Sequence, residues 1–470
     1  MLRFLIVFVF ALLSTSFCFS QDSAKPRVIV LTDIGGDPDD QQSMVRFLSY
    51  CNEFDVEGLI ATSRMDHGKD TKPELIREQV QAYEKVRENL NLHAAGFPTA
   101  DYLLQRIKSG QPDADHDPKT PPVVGVGNDT EGSAWIISVV DAPDPRPVWI
   151  TIWGGSTDLA QALWKIHATR RADEDAFIAK LRVYSIRDQD GAGEGIRKSY
   201  PDLFYIDAHA VPGAPFSGPY RGMYQNESLN KGVTTPLVDR SLFNLNTNDW
   251  IEQHVRQNHG PLGVLYPNTA TQTPLKVNGL KEGDSPSFLY LIPNGLNTPE
   301  QPSWGGWGGR YTGKHLYQNA EDAHPSGVND PVLRQKWTVA RWRLAFQNDF
   351  AARMDWQVKP LKEANHPPLV RIAGDLSRTV APGEHVALDA SASSDPDGNA
   401  LKFEWWIYRE AGTFEGDLKI SDADKAQANF IAPALDAEKQ LHVILSVTDD
   451  GAPPLTRYKR LVFTVRPAKK

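Results

Sequence analysis

A chain of 470 residues, 40% hydrophobic and 23% charged, is too long for one ordinary domain and too balanced to be disordered or fibrous, so two or more cored domains are expected. The formal net charge of −9 is spread without a basic block, which excludes the electrostatic footprint of a nucleic-acid partner.

Residues 1–20 carry Arg3, an apolar run from Phe4 to Leu13 and small residues ending at Ser20, the pattern of a secretory signal peptide. No later window holds roughly 18 uninterrupted apolar residues. The mature chain is therefore expected to be secreted or periplasmic, with no membrane contact after cleavage. Lipid attachment at Cys18 is disfavoured by the bulky Phe17 before it, and Cys51 alone remains, so no internal disulfide is expected.

From Arg27 onward short apolar strands alternate with amphipathic helices, which predicts an α/β domain with a mostly parallel sheet covered on both faces. Val28 to Leu31 reads as a buried strand, Gln41 to Tyr50 as a helix and Val56 to Ala61 as the next strand. Thr71 and Glu74 form a capping box around Pro73, opening a helix whose Ile76, Val80, Tyr83, Val86 and Leu90 share one face. Val148 to Ile152 is a third strand, ended by Gly154-Gly155 and followed by a helix from near Ser156; Leu181 to Ile186 is a fourth. Polar residues following such strands collect along one rim, where open α/β sheets bind ligands. Between about Pro201 and Gly309 the periodicity weakens, predicting long loops with short strands. Helix returns over Val332 to Phe350, with Leu333, Trp337, Ala340 and Leu344 on one side.

Asn365-His366-Pro367-Pro368 reads as a linker, which divides the chain into a signal segment 1–20, an α/β domain 21–362 and a C-terminal domain 363–470. The last part alternates apolar and polar positions between turns such as Asp395-Pro396-Asp397-Gly398, the pattern of an immunoglobulin-like β-sandwich. Its Ala390 to Trp406 segment resembles the PKD family of extracellular sandwich domains. Asp395, Asp397 and Asn399 admit either a second cation or a plain turn; as Asp, Pro, Gly and Asn are all turn formers the turn is favoured, and no metal is assigned there.

The sharpest signal is Leu31-Thr32-Asp33-Ile34-Gly35-Gly36-Asp37-Pro38-Asp39-Asp40, set between a strand and a helix. Four carboxylates within eight residues repel one another unless a cation or proton offsets the charge. Hard oxygen ligands without cysteine or clustered histidine favour a divalent metal such as calcium or magnesium over zinc. An EF-hand is excluded because Pro38 stands where the loop needs glycine and no glutamate closes it. A phosphate loop is disfavoured by the acids themselves. The competing reading is an acidic turn capping the following helix.

Thr32 to Asp40 resembles the N-terminal fingerprint of nucleoside hydrolases. The resemblance implies Ca2+ ligation by Asp33 and Asp40, with Asp33 also the general base on the attacking water and Asp39 holding sugar hydroxyls. Asp37 is grouped with the substrate-binding residues. Trp149 to Leu163 is similar to the segment in which a strand-end carbonyl ligates the metal, implying Trp153. Gly283 to Phe288 is similar to the late segment whose aspartate completes the site, implying Asp284; its residue-level alternative is a helix N-cap. More narrowly, the chain resembles cellulose-binding, nucleoside-hydrolase-like proteins, which pair such a domain with a C-terminal sandwich.

Two departures bear on activity. Leu31 and Gly283 stand where nucleoside hydrolases usually have Asp and His, and that His assists departure of the base in several members. Ordinary nucleosides are therefore disfavoured as substrates. Asp188, Asp190, Glu194 and Glu282 are the nearest candidates for another acid, Asp188 and Asp190 first because they follow the fourth strand.

In Ser303 to Tyr311, glycines alternate with Trp304 and Trp307 before Arg310; this loop either forms a stacking floor for sugar rings or folds back onto the core. Twelve Trp and 14 Tyr suit sugar stacking as well as packing. The expected partner is a carbohydrate or glycoside. Two main function classes follow: a metal-dependent glycosidase, or a carbohydrate-binding protein with a structural metal. A surface adhesin binding through its sandwich is a third. Nothing in the sequence bears on oligomeric state.

Overall fold

The computed structural model describes residues 24–64, 68–113, 123–208, 217–225, 236–269 and 277–467; the signal segment expected at 1–20 lies outside them. Strands β1 (Arg27–Thr32), β2 (Asp55–Ala61), β3 (Ile107–Ser109), β4 (Val148–Ile152), β5 (Leu181–Ser185), β6 (Phe204–Asp207), β7 (Tyr311–Lys314) and β8 (Leu316–Asn319) build one sheet. Their order is β3-β2-β1-β4-β5-β6-β8-β7, parallel except for the β7–β8 hairpin. Every residue of β1 and β4 is buried, as their unbroken apolar runs require of strands covered on both faces. The helices Asp39–Ser49, Pro73–His93 and Arg343–Asp355 cover one face. Glu131–Asp141, Thr157–Thr169 and Ala192–Ser199 cover the other. The chain runs from β1 outward to β2 and β3, then returns to β4 on the opposite side of β1. The C-terminal ends of β1 and β4 thus flank the switch point, where the sheet leaves a crevice.

Local readings fail in instructive places. Lys72, not Thr71, is the N-cap of Pro73–His93, and no side chain caps that helix. The helix expected over Val332 to Phe350 is two, Pro331–Ala340 and Arg343–Asp355; the break turns Leu344 outward, 54% exposed, while Leu333 and Ala340 stay buried. Between 201 and 309 the described residues form mostly short helices, because packing against the sheet overrides weak local preference.

The C-terminal strands β9 (Ser377–Val380), β10 (His385–Asp389), β11 (Leu401–Ile407), β12 (Gln427–Ile431), β13 (Lys439–Asp449) and β14 (Thr456–Val465) form two sheets, β10-β12 and β11-β13-β14-β9. Leu441, Val443, Leu445 and Val447 of β13 point into the sandwich core with Val386, Leu388 and Phe430. The intervening Ile444 joins the core of the α/β domain instead, and His442 packs edge-on against Trp304. Both faces of β13 are therefore covered. Arg460 of β14 donates to the carbonyls of Leu296 (3.0 Å) and Gly305 (2.8 Å), and Tyr408 donates to Asp322 at 2.6 Å. The linker expected at Asn365-His366 is buried in this junction.

Candidate metal centre

Asp33 follows the last residue of β1, and the chain then turns sharply through Gly35, whose φ of +89° suits glycine. Asp39 and Asp40 open the helix Asp39–Ser49, whose N-cap is Pro38 and which no side chain caps. Asp284 precedes the helix Ser285–Leu289 and makes no capping hydrogen bond either. Asp284 thus occupies the N-cap position, and Asp39 and Asp40 the first helical turn, without the side-chain hydrogen bond that a cap makes. One oxygen from each of Asp39, Asp40 and Asp284 lies within 4.8 Å of the others, and all three residues are buried. The Asp33 carboxyl adjoins that of Asp40. Gly154, just beyond β4, makes room for it: a Cβ there would fall 2.7 Å from Asp33 Cβ and 2.8 Å from Oδ1.

This grouping shifts the implied roles. Asp39, expected among the sugar contacts, stands in the tight triad, and Asp33 attaches to that triad through Asp40.

Charge is left uncompensated. Burial first, then the charges of Asp40 and Asp39, hold Asp33 well above the ordinary carboxylate range. Burial and the charge of Asp39 push Asp40 up to about 7. Asp284 is raised by burial, then by Asp40, Asp39 and Asp33. Asp39 is raised by burial against the opposing pull of Lys281. Asp39 Oδ1 and Asp284 Oδ2 are buried with no hydrogen-bond partner. Orphaned, desolvated oxygens from a purely carboxylate set fit a hard divalent cation.

A buried strut aligns the parts. Arg46, on the helix that carries Asp39 and Asp40, pairs with Glu282 at 2.5 Å and 3.0 Å, and Glu282 also accepts from Ser285 at 2.6 Å. Glu282 is thus bound into this strut through both of its oxygens.

The family model for the nucleoside hydrolase-like domain of cellulose-binding Sde182 matches residues 27–311, and that for the C-terminal domain of cellulose-binding protein Sde0182 matches 385–465. This chain belongs to the Sde182 nucleoside hydrolase-like family. A solved nucleoside hydrolase-related protein from Saccharophagus degradans, described as associated with carbohydrate metabolism, is 35% identical over 94% of this chain and 100% of its own, with a TM-score of 0.76. Type III effector XopQ, solved with adenosine diphosphate ribose, is 11% identical over 67% of this chain and 94% of its own, at a TM-score of 0.34. A PKD domain from KIAA 1837 protein is 17% identical over 22% and 88%, at 0.17. Neither of the last two supports an argument. The comparison with curated proteins returns no match.

Around the centre of this Sde182-family protein, other sequence candidates have partners elsewhere. Asp37 is 60% exposed at the side chain and pairs with Lys281 at 2.9 Å. Trp153 follows β4 as expected, but its carbonyl accepts a hydrogen bond from Gln189, and its indole donates to Ser287 at 2.9 Å. Asp188 is held by Arg197 at 2.8 Å and 2.5 Å. Asp190 accepts from Thr157 N (3.1 Å) and Oγ1 (2.7 Å), so it caps the helix Thr157–Thr169. Of the two readings of 303–311, folding back onto the core is the one the structure takes. Trp307 is fully buried, Trp304 packs edge-on to His442, and Arg310 pairs with Asp322 at 2.7 Å. These groups serve the domain junction.

Sequence reasoning missed Tyr224, which donates to Asp39 Oδ2 at 3.0 Å. A Cβ on residue 283 would lie 2.8 Å from the Tyr224 hydroxyl, so glycine there and tyrosine here are two halves of one arrangement. Tyr224 comes from the weakly periodic region and carries no local signal. Thr32, which donates to Asp40, lay inside the motif and could have been found by its adjacency.

Proposed function

We propose that this protein is an exported, divalent-metal-dependent hydrolase of glycosyl bonds, acting on a carbohydrate or glycoside. The observation that carries the reading is the buried carboxylate cluster at the β1–β4 switch point, with two oxygens lacking any partner. Asp39, Asp40 and Asp284 would hold the ion, with Asp33 beside them; calcium suits their all-oxygen chemistry. A bound divalent cation would offset their charge and make a water more acidic.

The chain's own groups would do the rest. Asp33, fixed against Gly154, would accept the proton of the water that attacks the anomeric carbon. The anionic cluster would stabilise positive charge developing on the sugar ring. Tyr224 fixes Asp39 Oδ2, leaving Oδ1 to face the site. The family's association with cellulose binding, the relative's with carbohydrate metabolism and the N-terminal signal pattern support an extracellular glycan over an intracellular nucleoside.

A second reading, carbohydrate binding around a structural metal, is favoured by one observation. Asp188, Asp190, Glu194 and Glu282, the acids nearest in sequence for protonating a leaving group, all have partners.

Purified protein assayed against nucleosides, aryl glycosides and plant or algal oligosaccharides, with and without EDTA, separates the two. Turnover that is lost with chelator and in Asp33→Asn supports hydrolysis. Retention of glycan with no turnover supports the binding reading, and absence of both rejects each.

A further inference from the structure

An open groove of about 860 Å³ runs between the helices Thr157–Thr169, Glu174–Ala179 and Ala192–Ser199, a size usual for ligand sites. It lies on the face of the sheet opposite the helix that carries Asp39 and Asp40. Ala160, Ile178 and Ile196 line it, and a Cβ on Gly195 would meet nothing within 4 Å, so the space beside that helix is open. Trp164 stands in this groove, half-buried. Every other tryptophan of the chain has a hydrogen-bonding or ring partner, as Trp135 has in the Glu57 carbonyl at 2.7 Å and Trp149 in Phe204. Among the described residues Trp164 has neither. A lone exposed apolar residue is ordinary; an unpartnered indole inside a concave groove is not.

The polar groups of the groove are, by contrast, fixed. His167 lies one turn beyond Trp164 on the same helix face and meets Glu174 at 2.8 Å, and Arg171 pairs with the other oxygen of Glu174 at 3.0 Å. Glu174 is 7% exposed, and the Tyr200 hydroxyl donates to it as well. Imidazole, guanidinium and phenol are thus held in place around one buried anion, with their remaining edges free to meet a ligand. Charge narrows what that ligand is. Against Arg171 stand three lining carboxylates, Glu174, Asp175 and Asp202, so the groove offers no positive surplus to a phosphate, a sulfate or a uronate. A neutral sugar chain matches the rest: its C–H faces stack on an indole, and its hydroxyls both donate and accept. We propose that this groove binds a neutral glycan chain, with Trp164 as the stacking platform and the groups around Glu174 as hydrogen-bonding partners. The groove shares no residue with the acidic centre, and the assignment does not rest on that centre hydrolysing anything.

Calorimetric titration of the full chain with cellohexaose, xylohexaose and mannohexaose should show binding of at least one of them. Trp164→Ala should weaken it at least about tenfold, as removal of an aromatic anchor does, and Trp164→Phe, which keeps a ring, should weaken it less. Asp284→Ala, at the acidic centre, should bind as wild type does. In the nitrogen–proton NMR spectrum the Trp164 indole signal, assigned by its absence from Trp164→Phe, should shift on titration with the same sugar. Failure of all three sugars to bind overturns the groove. So does equal affinity in Trp164→Ala, or a loss in Asp284→Ala, either of which would put the sugar at the rim instead. Tighter binding of oligogalacturonate than of the neutral sugars overturns the assignment to an uncharged ligand.

Discussion

Asp322 and Asp349 at the domain junction are buried as deeply as Asp40 and Asp284 at the sheet rim, yet their proton affinities move in opposite directions. Burial raises all four. At the junction the guanidiniums of Arg341 and Arg310 around Asp322, and of Arg457 and Arg353 around Asp349, outweigh it and leave both acids below the ordinary range. At the rim like charges add to burial, and neither the pull of Lys281 on Asp39 nor the hydrogen bond of Thr32 to Asp40 offsets them. The fold supplies its own cations to the structural acids of the junction and leaves the acids of the rim short of them, as the proposed metal site requires.

That contrast can be broken at either end. The largest effect is expected at the junction: Asp322→Ala leaves Arg310 and Arg341 buried without their partner and should cost about 3–5 kcal/mol in urea unfolding. A loss under about 1 kcal/mol would remove the junction from the account.

Next comes pH. Asp40 has a folded value of about 7 against an ordinary 3.8, so its contribution to metal-free stability is complete below 3.8 and is lost as pH rises through about 7. The loss from this group is at most roughly 4 kcal/mol. Asp322 and Asp349 run the other way, contributing above 3.8 and failing as pH falls below it. Thermal melts from pH 4 to 8 in EDTA should fall with pH, and calcium should flatten the curve; a flat curve in EDTA contradicts the uncompensated cluster.

Third, Asp284→Ala should weaken calcium binding at least about tenfold, or roughly 1.4 kcal/mol, by calorimetry. Unchanged affinity rejects Asp284 as a ligand. The smallest effect sharpens the comparison from outside both regions: Lys198→Ala removes an exposed pair with Glu194 and should leave Tm unmoved.

Much of this was legible in residue order. The unbroken apolar runs of β1 and β4 announced a doubly covered sheet, and four aspartates between a strand and a helix announced the centre, because both signals are local. Asp284 was reachable only through family resemblance, since nothing local tells a ligand from a cap. The tryptophan-glycine loop stayed ambiguous for a related reason: Trp307 is buried and Trp304 half-buried beside β13 and β14, whose second covered face shows in the sequence only as Ile444 and Tyr458 breaking the alternation. Tyr224 was invisible, being defined by a glycine 59 positions away that has no side chain to advertise the fit.

The strut between Arg46 and Glu282 joins positions 236 apart in the chain. Loop closure over that span adds little entropy beyond a shorter one, but the contact cannot form until most of the polypeptide has emerged. A nascent or truncated chain ending before residue 282 would carry the aspartate motif without the means to assemble it. Ion capture at the rim, as proposed above, would therefore report completion of the whole α/β domain, and would tie its maturation to the place where both the full chain and the cation are present.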